Sequence, residues 1–241
     1  MTNPHDLGYE QEGYDLPPMQ IIEHIVKTNN YTERDGQLMF AESGKQSLTE
    51  RRQARRDSLN ERVAKAAEIA NSYDGQTLVW CDLNDESEKL AKAIHQAVEV
   101  RGSDSDTHKT DAMMGFTTGD VHRLVSKPSI AGWGMNWQNC NNLIFTGLSD
   151  SFESYYQAVR RCWRYGQKKP VNVHIVISDA EGAVKANIER KQADAQRMTQ
   201  ELVKYTKDIL TAEIHSTARI TESYTPQQEM CIPKWLRGDA A

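Results

Sequence analysis

Two hydrophobic periods alternate along this chain. Short apolar runs bounded by turn residues predict strands at residues 19–26, 77–81, 121–126, 142–145 and 171–177, with shorter extended pieces at 37–40 and 97–100. Three-four spacing predicts helices between them. One spans 47 to about 70, with Leu59, Val63, Ala66, Ala67 and Ile69 gathered in its second half, and another spans 86–98 with Leu90, Ala93, Ile94 and Ala97 inward. A short helix is expected at 112–117. A long one is expected from 180 to about 209, its stripe of Ile188, Ala195, Met198, Leu202, Tyr205 and Ile209 packing on the domain. Such alternation predicts an α/β fold: a three-layer parallel sheet with helices on both faces, plus the long C-terminal helix. Ligand sites in such sheets lie beyond the carboxyl ends of the strands. Pro17-Pro18 punctuates the start. Residues 1–16 are polar and read as a leader or linker remnant, 17–210 as the folded lobe with its flanking helices, and 211–241 as a tail.

Composition narrows the picture. A chain of 241 residues suits one ordinary domain with extensions. Asp and Glu number 34 against 29 Lys and Arg, a net charge of −5, which argues against a protein that coats nucleic acid generally. Any such contact is expected to be local. Cys81, Cys140, Cys162 and Cys231 are widely spaced and form no Cys-x-x-Cys pair, so neither zinc nor redox chemistry is indicated and reduced thiols are expected. His24, His95, His108, His122, His174 and His215 are scattered without metal-ligand spacing, and no metal site is expected. There is no apolar signal core or bilayer-length apolar run. The expectation is a soluble cytoplasmic protein, with no membrane partner. Arg51, Arg52, Arg55 and Arg56 crowd one predicted helix and have two readings, contact with phosphates or a solvated face; the interspersed Glu50, Asp57 and Glu61 favour the solvated face.

Against this acidic background, residues 154–178 contain no Asp or Glu. Their centre is Gln157-Ala-Val-Arg-Arg-Cys-Trp-Arg-Tyr-Gly-Gln167. On a helix, Gln157, Arg161 and Arg164 fall at i, i+4 and i+7 and share a face, while Tyr156, Val159 and Trp163 form an adjacent apolar anchor. Asp150 and Glu153 suit the start of that helix, Gly166 suits its C′ position, and Pro170 lies beyond. Guanidiniums are always charged and their planar fork matches phosphate oxygens, so a fixed pair suits a triphosphate. Upstream, the run from Ser126 through Lys127, Gly132, Gly134 and Asn136 follows a predicted strand, and its glycines permit close backbone approach. Trp133 and Trp137 have two readings there, stacking on bases or burial, of which burial is the more common.

The Gln-x-x-x-Arg-x-x-Arg-x-Gly-Gln segment resembles the last motif of superfamily 2 helicases, closest to the Snf-type branch and similar to phage-encoded members. Gly132-x-Gly134-x-Asn136 is similar to that family's motif V, and Arg101-Gly102-Ser103-Asp104 to its short turn after the second strand. Leu78-Val79-Trp80-Cys81-Asp82 looks like the strand that opens the second motor lobe. A magnesium-binding reading of Asp82 needs an upstream phosphate loop, and Ser43-Gly44-Lys45-Gln46 lacks both its first glycine and its closing hydroxyl. The resemblance runs from about Leu78 to Ile177.

What the resemblance implies is a RecA-like C-terminal lobe of an ATP-dependent DNA helicase or translocase, with RNA as a possible alternative substrate. Arg161 and Arg164 would reach ATP as arginine fingers, with Gln157, Gly132 and Gly134 on the nucleotide-facing side. Lys127, Asn136 and Ser103 would touch nucleic acid. ATP and Mg2+ would be held mainly by an N-terminal RecA-like lobe, supplied in cis or in trans. The phosphate loop, magnesium acid and catalytic Glu of such a lobe do not occur in this sequence, so the isolated chain is expected not to hydrolyse ATP. An alternative is a non-enzymatic nucleic-acid-binding or partner-docking module with the same lobe shape. A Rossmann-like enzyme is disfavoured because no Gly-x-Gly-x-x-Gly turn follows the first strand.

Overall fold

The computed structural model describes residues 15–27, 53, 55–131, 134–149, 151–179, 186–198 and 200–201. In chain order its elements are β1 (Met19–Val26), α1 (Leu59–Ser72), β2 (Thr77–Trp80), α2 (Asn84–Ala93), β3 (Ala97–Val100) and α3 (Asp106–Thr118). There follow β4 (Arg123–Ser126), α4 (Pro128–Ala131), β5 (Asn142–Thr146), α5 (Phe152–Val159) and β6 (Val171–Ser178). The expected extended piece at 37–40, the first part of the 47–70 helix with Arg51 and Arg52, and the 211–241 tail lie outside the described residues.

All six strands form one sheet in the order β1-β6-β5-β2-β4-β3, and every pairing is parallel. β2 and β5 are buried along their whole length, as expected for central strands covered on both faces. Strand alternation divides their side chains. Leu78, Trp80, Leu124, Leu143 and Phe145 join a core with Phe116, Tyr155 and Val159 from α3 and α5. Val79, Val125 and Ile144 face the other way and pack with Leu59, Val63, Ala66 and Ala70 of α1 and Leu90 of α2. Each Val, Leu, Ile or Phe side chain among them, taken fully from water, contributes about 1.5–3 kcal/mol. From β2 the chain runs out to β3 at one edge, fills in β4 between them, and then returns to add β5 and β6; β1, which precedes β2 in the chain, forms the other edge beside β6. The order therefore reverses between β2 and β5, and a crevice opens there at the strands' carboxyl ends.

Several boundaries differ from those the sequence predicts. The helix expected over 86–98 stops at Ala93, because Ile94 is extended and Gln96 turns through a positive φ of 53° to start β3. The one expected at 112–117 is longer: Ser105 caps it by accepting the His108 amide, and Gly119, at φ 98°, ends it. Only Ala112 and Phe116 are buried in α3, so its three-four stripe is faint. The predicted C-terminal helix is observed over 186–198 and at 200–201, and the rest lies outside the described residues. Ile188 joins the core, whereas Met198 is 68% exposed and does not extend that stripe. Among the described residues no helix is long and apolar enough to cross a membrane.

Candidate functional site

The loop after β4 begins at Lys127, whose carbonyl accepts from the amides of Ile130 and Ala131 to wind the short α4. Gly132, Trp133 and Asp150 lie outside the described residues. Gly134 has φ 80° with open space around it, so its left-handed backbone, rather than crowding, calls for glycine. Trp137 is fully buried: its indole nitrogen donates to Thr117 Oγ1 at 3.1 Å, and its ring packs edge-on to Phe116. Of the two readings of that residue, the core one holds.

α5 corrects the expected geometry of the arginine segment. Its cap is Ser151, which accepts the Ser154 amide, and the helix ends at Val159 with Arg160 at the C-cap. Arg161 and Arg164 therefore stand beyond the helix, on a run of tight turns in which Arg161 N reaches Ala158 O and Gln167 N reaches Arg164 O. Gly166 closes the run with φ 91°. The buried face of α5 is Tyr155, Ala158 and Val159, followed by Cys162 in the turns. Tyr156, expected as an anchor, is 42% exposed because it sits on the outer face, its ring tilted against Phe152 and its hydroxyl accepting from Arg160 Nε and Nη2.

The turns nevertheless bring the two arginines together against the motif V-like loop. Arg161 Nη1 donates to Met135 O at 3.1 Å, and the Trp137 amide donates to Arg161 O at 2.8 Å. Arg164 Nη1 donates to Asn136 Oδ1. Burial, and then the charge of Arg164, pull the Arg161 guanidinium below its usual value. An arginine so placed still remains charged. Neither side chain pairs with a carboxylate among the described residues. Gln157 stays apart, its amide donating to Glu153 Oε1 at 3.1 Å one turn back on α5. Gln167, a residue of the motif to which no role was assigned, is 6% exposed and donates to Cys140 O and Cys162 O, binding the turn to the run into β5. This cluster thus lies beside the amino ends of β5 and β6, not at the carboxyl-end crevice where the sequence placed the key loops.

Lys127 and Ser103 do sit at that carboxyl edge. The turn carrying Ser103 is closed by Arg101 N donating to Asp104 Oδ2 at 2.7 Å, and Gly102 lies against Ile130 of α4. Beside them, at the reversal of strand order, is a cavity of about 70 Å³ lined by Trp80, Asp82, Ser129, Gly147, Ser149 and Ser154. The indole N–H of Trp80, a residue 1% exposed, has no hydrogen-bond partner among the described residues.

Under this edge lies a polar hub that the sequence reading missed. Arg62 and Glu86 are fully buried and paired at 2.5 Å. Arg62 also donates to Thr146 O at 3.1 Å and to Arg55 O at 2.6 Å, while Glu86 Oε2 accepts the Asp82 and Leu83 amides. Arg55, read from sequence as part of a solvated face, is 9% exposed and pairs with Asp82 at 2.6 Å. The available signal was position: Arg62 occupies an inward site of α1 between Leu59, Val63 and Ala66. Two of the scattered histidines also meet, His24 of β1 and His174 of β6. Among the described residues no group of three or more His, Cys, Asp or Glu could hold a metal ion.

Residues 59–166 match the family described as helicase conserved C-terminal domain. The match runs from α1 to the arginine turn, and the all-parallel sheet with helices on both faces is the RecA-like α/β fold of helicase C-terminal lobes. Among solved structures, the chain is similar to the C-terminal part of the Fun30 ATPase domain, at 18% identity and TM-score 0.45, covering 71% of this chain and 57% of that one. It is similar to the DUF1998 helicase MrfA bound to DNA, at 16% identity and TM-score 0.45, covering 52% of this chain and 18% of that one. It is also similar to a DEAD box protein from the hyperthermophile Methanococcus jannaschii, at 21% identity and TM-score 0.47, covering 55% and 37%. The chain thus spans less than two thirds of the length of each. No curated protein matches the sequence.

Proposed function

We propose that this chain supplies the C-terminal motor lobe of an ATP-dependent helicase or translocase acting on DNA, with Arg161 and Arg164 as arginine fingers toward ATP carried by a first lobe. One observation carries this reading. The two guanidiniums stand side by side, each held by an uncharged oxygen, Met135 O for Arg161 and Asn136 Oδ1 for Arg164, with no carboxylate among the described residues to neutralise them. Their Nε groups are shielded from water and make no hydrogen bond. Leaving two adjacent positive charges unneutralised is unfavourable unless an anion completes the site, and a polyphosphate fits that demand. The Snf-type assignment rests on the Gln157 to Gln167 pattern and is part of the same proposal.

ATP, when bound, would supply the phosphoanhydride and the charge that develops on its oxygens during phosphoryl transfer. Arg161 and Arg164 would meet that charge from this lobe, already oriented by the loop. Gln157 would join them by releasing Glu153. Gly134 supplies the bend that carries Met135 and Asn136 to the arginines, and Gly132 is assigned to the same loop by resemblance. Among the described residues no carboxylate pairs with either arginine of this cluster, and Mg2+ is assigned mainly to the first lobe by resemblance. Lys127, Ser103 and the cavity beside them are the proposed contacts to the nucleic-acid backbone, with Asn136 serving through the loop it shares with Arg164. RNA in place of DNA is the alternative that a competition assay separates.

The test is reconstitution with a first lobe that carries a phosphate loop and an Asp-Glu box. Arg161→Ala and Arg164→Ala are each expected to lower ATP turnover by roughly 10³-fold or more while nucleic-acid binding persists. Salt-dependent DNA binding that ATP and the added lobe never alter would instead support the non-enzymatic binding module.

A further inference from the structure

Edge strand β1 contributes no fully buried apolar side chain, and Ile21 and Ile25 are 39% and 62% exposed. Met19 and Val26 at its two ends are partly buried against the core; the rest of its attachment is the ladder to β6 and a set of polar ties. At its start, the Val171 amide donates to Pro18 O at 2.9 Å and the Trp163 indole donates to Pro17 O at 2.8 Å. Further along, His24 Nε2 lies 2.9 Å from His174 Nδ1, and His174 Nε2 lies 2.9 Å from the Tyr73 hydroxyl. The two imidazoles stack at 5.2 Å with 26° between their planes. His174 is only 5% exposed.

This line of three groups has a fixed proton capacity. With both rings neutral, the tyrosine hydroxyl donates to His174, His174 donates to His24, and the free N–H of His24 points away. One added proton is accommodated by reversing the direction of donation. Two are not, since N–H would then face N–H across the short gap between two cations. Separated rings accept a proton each without conflict. Among the described residues, the charged groups facing the pair are Lys65 and Glu68 of α1, and these bind one another at 2.8 Å. Tyr73 is the other titratable group in contact among the described residues. Glu23 alternates to the opposite face of β1, and the flanking Asn172, Val176 and Ile144 carry no charge.

We propose that β1 is an acid-releasable strap, latched to β6 by His24 and His174 and freed when both rings take up protons. Because Trp163 in the arginine turn is tethered to Pro17, release of the strap also removes a support from the turn that carries Arg161 and Arg164. Burial lowers both histidines, His174 from 6.5 to about 4, in the same direction as the geometric argument. A histidine lowered on folding stabilises the closed strap fully above its ordinary value, and that stability is lost as pH falls from 6.5 toward about 4.

The test is amide hydrogen exchange on the full chain at pH 7 and pH 5, corrected for intrinsic rates. A peptide across Met19–Val26 is compared with one across Asn142–Thr146. Protection of β1 is expected to fall about tenfold while that of β5 holds. The double variant His24→Gln with His174→Gln is expected to show no pH response in β1. Should that variant not fold, His24→Gln alone is expected to respond less steeply than the wild type. Equal β1 protection at both pH values, a parallel loss in β5, or variants as responsive as the wild type would each overturn the proposal.

Discussion

The main-chain amide of Trp137 donates to the carbonyl of Arg161 at 2.8 Å, and through this bond the loop after β4 and the turn after α5 become one unit. Trp137 is buried between Trp80 and Phe116, so the loop is anchored in the core and carries the arginine backbone with it. Arg161 and Arg164 then reach back to Met135 and Asn136, closing a small circuit of contacts. Asn136→Ala removes the acceptor that orients Arg164 without touching the core. The expected outcome is a fall of roughly tenfold in ATP turnover by the reconstituted two-lobe motor, from lost positioning of one finger. Steady-state ATPase and a thermal melt on the same preparation check it: turnover should fall while the midpoint moves little.

Arg62 and Glu86 call for the opposite test. Both are fully buried, and each satisfies main-chain groups as well as its partner. Removing one strands the other as a buried charge. Arg62→Leu and Glu86→Gln are each expected to cost about 3–5 kcal/mol of folding stability, read as a shift in the urea midpoint at constant slope. A loss under about 1 kcal/mol would show the pair to be solvated in solution.

Two glycines with similar backbone angles should differ. A Cβ at Gly147, φ 83°, would lie 2.7 Å from Arg62 Nη1 and 2.9 Å from Arg55 Nη2, whereas Gly134, φ 80°, has nothing within 4 Å. Gly134→Ala incurs only the left-handed backbone cost of about 1 kcal/mol. Gly147→Ala also displaces buried guanidiniums and is expected to lose at least 2 kcal/mol or so more. Paired denaturation curves decide it.

Thiol labelling probes the core directly. Cys81, Cys140 and Cys162 are free and buried, and burial pushes the Cys81 thiol up to about 12. Burial, then its contact with Cys140, raises Cys162 as well. All three are closed off from solvent, and in Cys81 and Cys162 the reactive thiolate is also disfavoured, so the three should resist iodoacetamide at pH 8 in the native chain and react after denaturation. Peptide mapping by mass spectrometry reads each site separately.

The parallel sheet was legible because β2, β4, β5 and β6 are short apolar runs whose two faces are both buried. Helix ends were less so. α5 stops at Val159 although the residues beyond it could continue a helix, because the Trp137 amide, from the distant loop after β4, takes up the Arg161 carbonyl, and the Gln167 side chain takes up that of Cys162. Helical spacing puts Gln157, Arg161 and Arg164 on one face, whereas both arginines stand on turns beyond α5, beside the amino ends of β5 and β6, a placement that depends on the run from Met135 to Cys140. Arg55 looked solvated because its immediate neighbours are charged, and its partner Asp82 lies far along the chain. His24 and His174 meet only because the first and last strands pair, a relation that no local pattern encodes.

The most direct measurement is single-turnover ATP hydrolysis by this chain joined with a first lobe, comparing the wild type with Arg161→Ala and Arg164→Ala at saturating DNA. The account predicts that each variant slows the hydrolysis step by roughly 10³-fold or more while its DNA affinity at fixed salt stays within about threefold of the wild type. Hydrolysis at the wild-type rate in both variants would contradict it, and the arginine pair would then be a structural brace between two loops.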